Sequence, residues 1–222
     1  MSISYTKVNF KTHRLIPSRF PPILVFDWAE TKEELEEIVE LESLTNDRLK
    51  GEYGDISLVS KNDWVIGEGA TPLMAAFTHP GYSRFSDGTY GVYYAGDSLE
   101  TAIAETKFHR EIFLSASNEP ACLVQMREYL AHVKEELVDI NARDHAHILD
   151  PDPSSYHKSQ EFVRALKLEN EYGLLYPSVR NQDGKCVAIF RPTALTIPVQ
   201  GCHLDYIWDG QSIANIRKSV PM

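Results

Sequence analysis

The dipeptide Asp183-Gly184 lies between two short apolar segments, Gly173–Tyr176 and Cys186–Phe190, and it restricts the fold more than any other local feature. Asp-Gly between two β-type segments is a strong signal for a tight hairpin. Strands joined in this way run antiparallel. A doubly wound parallel sheet, in which each strand is followed by a crossover helix, is therefore disfavoured, and an α+β fold with a mixed sheet and flanking helices is predicted.

Helices are predicted where capping residues precede an apolar periodicity. Thr31 and Glu34 form a capping box for the first long helix, which is acidic, and either Asp97 or Ser98 caps the second. The predicted helices cover about Lys32–Lys50, Pro72–Phe77, Ser98–Phe113 and Tyr156–Leu168.

Further strands are predicted from runs of β-branched and aromatic residues. They lie at Ile56–Val59, Tyr90–Ala95, Ala121–Tyr129 and Leu137–Ile140. The first 30 residues are interpreted as irregular, because three prolines within them favour extended backbone. Residues 1–60 are predicted to be an N-terminal extension whose acidic helix packs on a catalytic domain at 61–222, the whole forming one compact unit.

Charge and cysteine usage limit the function classes. With 22 Lys and Arg against 32 Asp and Glu, the net charge of −10 disfavours direct binding to nucleic acid or to anionic lipid. Cys122, Cys186 and Cys202 are scattered, as in a reducing compartment. No apolar run approaches the ~18 residues of a membrane span, and no signal peptide is recognisable. We therefore expect a cytoplasmic protein.

Arg84, Tyr93, Tyr94 and Glu105 occupy a loop, a strand and a helix that follow one another and can converge on one cleft. Arg84 could clamp a phosphate, although a surface pairing with Asp87 explains it equally well. Adjacent strand residues face opposite sides, so one tyrosine is expected in the core and the other in the cleft. Glu105 lies at the edge of an apolar helix face, which suits a base or an ordinary flanking carboxylate.

Three further sets of polar residues have weaker signals. Ser178 follows a predicted strand end, where it can bind a ribose or phosphate or simply form a turn; it lacks the context of a nucleophile elbow. His145 and His147 lie beside Asp144 and Asp150, but their spacing matches no common metal-binding pattern, and no metal site is predicted. His79 and His109 are expected to have structural or supporting roles.

Several short motifs, taken together, resemble those of the RES domain family, which is named for an arginine, a glutamate and a serine. The resemblance extends over residues 13–191. Ser83 stands where many relatives have glycine, and the acidic helix is found in larger members. The motifs are His13-Arg14, Arg84-Phe85, Val92-Tyr93-Tyr94-Ala95, Ser98-Leu99 through Ala104-Glu105, and Gly173 through Tyr176-Pro177-Ser178.

The resemblance implies a fold similar to that of ADP-ribosyltransferases and an activity that degrades NAD⁺. It selects Tyr94 over Tyr93 and implies that Glu105, Arg84 and Tyr94 are catalytic, with Arg84, Tyr94 and Ser178 binding substrate. NAD⁺ is then the substrate, no cofactor or metal is needed, and inorganic phosphate is a candidate co-substrate.

The family's members are toxins of bacterial toxin–antitoxin systems, so an Xre-type antitoxin is the expected partner, and a homodimer is left open. Two alternative functions also remain open. One is an ADP-ribosyltransferase that uses the same site to modify a protein, and the other is a non-catalytic interaction module.

Overall fold

The computed structural model describes residues 3–18, 25–45, 54–140 and 145–219. In that part of the chain a nine-stranded sheet is flanked by helices on both faces. The predicted α+β class is confirmed. The helices are α1 (Val25–Trp28), α2 (Lys32–Thr45), α3 (Thr71–Thr78), α4 (Leu99–Ala116) and α5 (Tyr156–Leu168).

The strands of the main sheet follow the order β1-β7-β8-β9-β5-β2-β6-β10-β11, and β3 and β4 form a separate small hairpin. Neighbouring strands of the main sheet run antiparallel, except for the parallel pair β7–β8. The strands are β1 (Tyr5–Lys7), β2 (Lys11–Pro17), β3 (Tyr82–Ser83), β4 (Ser86–Asp87), β5 (Tyr93–Gly96), β6 (Cys122–His132), β7 (Glu136–Asp139), β8 (Gly173–Pro177), β9 (Lys185–Ile189), β10 (Val199–Trp208) and β11 (Ile213–Lys218).

The hairpin predicted at Asp183-Gly184 joins β8 to β9. These strands pair antiparallel, with Tyr176 opposite Cys186. Asp183 has a φ of 65°, the left-handed conformation that tight turns require and that Asp tolerates better than most residues. The turn signal therefore predicts the antiparallel pairing correctly, but the connection spans seven residues, 178–184, and is longer than a tight two-residue turn.

Alternation along the strands divides the core between the two faces of the sheet. On one face, α1, α2 and α3 cover a cluster that includes Tyr93 and Val187. On the other, α5 covers a cluster that includes Ala188, against which Tyr94 packs, and α4 covers a cluster around Met126. Tyr93 and Tyr94 therefore face opposite sides, as strand geometry requires.

The central strand β2 is the least expected element. It pairs with β6 at seven positions, from Lys11 to Pro17, but with β5 only at His13, opposite Gly96. Beyond that single pair the sheet opens between β2 and β5. Residues 1–60, predicted as an extension, thus contribute β1 and β2 to the main sheet, and the interpretation of residues 1–30 as irregular is wrong. The buried residues of β2, Thr12 and Leu15, lie on opposite faces, so the strand has no simple apolar–polar alternation.

Of the remaining predicted helix caps and strands, some are confirmed and others are wrong. Thr31 caps α2 by accepting the N–H of Glu34 at 3.1 Å, and residues 46–50 of that predicted helix lie outside the described residues. Ser98, rather than Asp97, caps α4. The strand predicted at Ile56–Val59 is wrong, because Asp55 caps a short 3₁₀ helix there. Strands β10 and β11 were not predicted.

The remaining predicted elements are found within a few residues of their expected bounds. The strand predicted at Tyr90–Ala95 begins only at Tyr93, because Gly91 packs against α3. A Cβ at Gly91 would lie 2.3 Å from the carbonyl oxygen of Ala76. Within the described residues, no helix combines the length and apolar character that a membrane crossing requires.

Candidate active site

A cavity of about 590 Å³ opens where β2 and β5 separate, beneath α4. This volume lies within the range of roughly 300–1,000 Å³ that ligand pockets occupy. Three of the four residues predicted for the site, Arg84, Tyr94 and Glu105, line it. The fourth, Ser178, reaches the cavity through Glu105. The structure therefore brings together residues that are up to 94 positions apart in the sequence.

Glu105 projects from α4, and two neighbouring side chains hold its carboxylate. The hydroxyl of Ser178 donates to Oε1 at 2.6 Å, and the thiol of Cys186 donates to the same oxygen at 3.8 Å. Burial and the nearby carboxylate raise the pKa of Cys186 well above its usual range, which keeps this thiol protonated. No other hydrogen bond to Glu105 is found among the described residues, so Oε2 is available to a ligand.

Ser178 is held by the turn that follows β8. Its hydroxyl oxygen accepts the N–H groups of Arg180 at 3.1 Å and Asn181 at 3.0 Å, while its hydrogen goes to Glu105. Its own N–H donates to the carbonyl of Gly184 at 2.8 Å. These bonds use both the donor and the acceptor capacity of the hydroxyl and hold it against Glu105, while the contact of Ser178 with substrate stays a prediction.

Arg84 is almost fully buried, with 7% of its surface exposed. Its Nη1 donates to the carbonyl of Asp150 at 2.6 Å and lies 3.4 Å from that of Ile148. Its Cζ lies 4.7 Å from the centre of the Tyr156 ring. These contacts fix the guanidinium at the cavity wall, and no carboxylate of the described residues forms an ion pair with it, an arrangement suited to an anionic group.

The alternative pairing of Arg84 with Asp87 is not found. Asp87 instead accepts from Arg164 on α5, with Nη2 and Oδ2 3.1 Å apart. This ion pair is at the surface, where 63% of the Arg164 side chain is exposed, and such pairs contribute little to stability. Asp87 therefore does not neutralise Arg84 through an ion pair.

Tyr94 fixes the loop that carries Arg84. Its hydroxyl accepts the N–H of Phe85 at 3.0 Å and lies 2.8 Å from Oγ of Ser83, so it contacts the residues on both sides of the arginine. Its ring lies nearly parallel to that of Phe85, with centroids 6.3 Å apart. Burial raises the pKa of Tyr94 well above its usual range, so the phenol stays neutral. Gln160 adds a second anchor by donating to the carbonyls of Ser83 and Ser86.

Two further residues line the cavity: Arg14, which was expected only as part of a family motif, and His109, which was expected only to have a structural or supporting role. Arg14 donates to the carbonyl of Tyr94 at 3.3 Å, and its Cζ lies 4.6 Å from the centre of the Tyr93 ring. His109 follows Glu105 by one turn of α4 and also lines the cavity. Desolvation by the surrounding protein lowers the pKa of His109, an effect that Glu105 partly opposes. The i, i+4 spacing of these two residues is the signal that could have joined them.

The histidines considered for metal binding lie elsewhere. His145 packs edge-on against Phe162, with ring centroids 5.7 Å apart, and Asp144 is outside the described residues. Across the ranges that the structure describes, no group of three or more His, Cys, Asp or Glu side chains is arranged to hold a metal ion.

Comparison with known proteins identifies the family. The model of the RES domain matches residues 59–209, about two thirds of the chain. The chain belongs to the RES domain family. The matched range includes Arg84, Tyr94, Glu105 and Ser178, whereas β1 and β2 precede it.

Two known proteins are similar to this chain. The uncharacterized protein y4oC of Sinorhizobium fredii is 26% identical over 208 residues, which cover 91% of this chain and 84% of that protein. A chain in the crystal structure of the M. tuberculosis MbcT–MbcA toxin–antitoxin complex overlaps 54% of this chain and 71% of its own length, with 13% identity and a TM-score of 0.40.

Proposed function

We propose that this RES-domain protein cleaves the bond between nicotinamide and ribose in NAD⁺, by hydrolysis or phosphorolysis. The observation that carries the proposal is the Glu105 carboxylate, held by Ser178 at 2.6 Å and lining the same cavity as the buried Arg84. One anionic and one cationic group on the wall of a cavity of this size match a ligand that carries both a diphosphate and a cationic ring.

The chemistry needs little from the protein, since nicotinamide leaves the ribose as a neutral molecule. The ribose carbon then passes through an oxocarbenium-like state, as in glycoside cleavage. Glu105 stabilises the developing positive charge and binds the ribose through Oε2. Arg84 holds the diphosphate by charge-assisted hydrogen bonds. Tyr94 keeps the Arg84 loop in place and packs its ring against the nicotinamide.

Product analysis tests the proposal. Purified protein is incubated with NAD⁺, with and without inorganic phosphate, and the nucleotides are separated by chromatography. Free ADP-ribose identifies hydrolysis, and a phosphorylated ADP-ribose formed only with phosphate identifies phosphorolysis. When the NAD⁺ carries a label on its ADP-ribose part, transfer of that label to protein identifies an ADP-ribosyltransferase. NAD⁺ left intact under all conditions would contradict the proposal and favour a non-catalytic module.

In the cell, the proposed activity would deplete NAD⁺ and arrest growth. Membership of the RES family supports this toxin role, with an Xre-type antitoxin as the partner and the cytoplasm as the site of action. Induced expression of the chain should stop growth with a fall in NAD⁺, and co-expression of its antitoxin should restore both. Growth arrest with normal NAD⁺ levels would argue for another target.

Ser178→Ala is expected to lower kcat for NAD⁺ cleavage by roughly 10- to 100-fold with little change in KM. A hydrogen bond to a charged group contributes about 1.5–3 kcal/mol, and each 1.4 kcal/mol corresponds to a factor of ten. Steady-state kinetics on the variant provide the measurement. Ser117→Ala, at the exposed end of α4, is the control and should turn over normally. A large rise in KM at normal kcat would indicate instead that Ser178 binds the substrate directly.

A further inference from the structure

A histidine–carboxylate pair on the cavity wall has no part in the chemistry assigned so far. His13 on β2 lines the cavity, and its Nδ1 lies 2.6 Å from Oε1 of Glu128 on β6. Glu128 is only 5% exposed and lies on the same strand face as the buried Met126. A carboxylate in such a position is costly unless specific groups stabilise it.

The backbone of β10 supplies one of those groups. The pairing of β10 with β6 is irregular between Gln200 and His203, opposite Glu128. Within this bulge the N–H of Cys202 donates to Oε2 of Glu128 at 2.9 Å. Each carboxylate oxygen thus has a partner. β-Bulges often change the direction of side chains or backbone groups beside active sites. This bulge directs the N–H of Cys202 towards the buried carboxylate of Glu128.

These contacts determine which nitrogen of His13 carries the proton. Burial alone would raise the pKa of Glu128, but the N–H of Cys202 and the ring of His13 hold it below its usual range, so the carboxylate is ionised at neutral pH. An ionised carboxylate can only accept. Nδ1 of the neutral imidazole must therefore donate to Glu128, and Nε2 keeps the lone pair that can take up a proton.

Strand register places this pair near Glu105. Cys186, Gly96 and His13 are directly paired across β9, β5 and β2, so they face the same side of the sheet. Two strand spacings separate Cys186 from His13 by roughly 10 Å. Glu105 contacts Cys186, and both Glu105 and His13 line the cavity, so a nucleophile bound in the cavity can lie between them. In glycosidases that invert configuration, the two acting groups lie roughly 6.5–9.5 Å apart for the same reason.

We propose that His13, oriented by Glu128, accepts the proton of the water or hydroxyl group that attacks the nicotinamide ribose, an inference that rests on the proposed NAD⁺ cleavage. The nucleophile's oxygen forms a bond to the anomeric carbon as the bond from that carbon to nicotinamide breaks. The electron pair of the broken bond stays on the nicotinamide nitrogen and neutralises it. The proton of the nucleophile moves to Nε2 of His13, and Glu128 stabilises the imidazolium.

His13→Asn tests this role. An asparagine amide can still donate to Glu128 near the position of Nδ1, so the fold is maintained, but it cannot take up a proton. The expected result is a fall in kcat of roughly 10²- to 10⁴-fold, the range of general-base catalysis, with an unchanged dissociation constant for NAD⁺. Glu128→Gln should also lower kcat, because its amide would donate to Nδ1 and place the ring proton on Nε2.

Azide separates a proton acceptor from a merely structural residue. The azide anion attacks without losing a proton, so it should restore turnover by His13→Asn and yield an azido sugar nucleotide. His132→Asn, at the exposed end of β6, is the matched control and should behave like the unmodified protein.

The outcomes distinguish this inference from the proposed function. If the unmodified protein does not consume NAD⁺, the proposed function fails and this role fails with it. If the unmodified protein does consume NAD⁺, normal turnover by folded His13→Asn overturns only the role of His13. A loss of turnover in His13→Asn that azide does not restore also overturns that role. Turnover that requires phosphate and is the same in His13→Asn would also overturn the role of His13. A phosphate dianion attacks without giving up a proton, so it needs no proton acceptor.

Discussion

Glu105→Gln is expected to lower kcat for NAD⁺ cleavage by at least roughly 10²-fold while leaving the fold intact. The charge that stabilises the oxocarbenium-like state is lost, and a single preorganised group of this kind is typically worth about 10²–10³ in rate. The fold should persist because a glutamine carbonyl can still accept the Ser178 hydroxyl, which donates to Oε1 at 2.6 Å in the structure.

Release of nicotinamide under single-turnover conditions measures this effect directly, and circular dichroism checks the fold. Glu100→Gln is the matched control, because Glu100 is an exposed glutamate on the first turn of the same helix. It should retain full activity. Full turnover by well-folded Glu105→Gln would remove the central residue of the proposed mechanism.

Arg84→Ala is expected to weaken NAD⁺ binding by about 10- to 100-fold. The change removes charge-assisted hydrogen bonds, which contribute about 1.5–3 kcal/mol each. Calorimetry gives the dissociation constant most cleanly in the Glu105→Gln background, where NAD⁺ cleavage is expected to be much slower. Arg84→Lys should restore only part of the affinity, because an ammonium keeps the charge without the planar fork of the guanidinium.

The structure also provides a control for this second prediction. Arg164 is an exposed arginine about 80 residues further along the chain, and it pairs with Asp87 at the surface. Arg164→Ala should leave the dissociation constant unchanged, since exposed ion pairs contribute little. Equal affinities for the Arg84→Ala protein and its parent would show that Arg84 stabilises the loop and does not hold the diphosphate.

Together, these experiments separate three kinds of contribution to one site. Glu105 and Arg84 are proposed to touch the substrate, whereas Ser178 and Glu128 act through the residues that they orient. His13 is proposed to handle the proton. Variants of the orienting residues should lower kcat without a matching loss of affinity, because the binding groups remain in place.

Local sequence determined much of the secondary structure. The Thr31 and Ser98 caps, the Asp183-Gly184 turn and the periodicity of α5 each depend on residues within a few positions of one another, and each was found where expected. The order of the motifs in the sequence also indicates Arg84, Tyr94 and Glu105 as candidates for one site. Their roles in catalysis stay predictions until the variants are measured.

Only the tertiary structure decided where β2 lies and what its residues do. His13 and Glu128 are 115 positions apart in the sequence, and neither carries a local signal that points to the other. The hydrogen bond from Ser178 to Glu105 likewise joins residues that are 73 positions apart. Such contacts depend on the register of distant strands and on the opening between β2 and β5. Short-range propensities specify helices, caps and turns, but they carry no information on which strands become neighbours. The cavity forms because β2 and β5 are neighbours that separate beyond one residue pair.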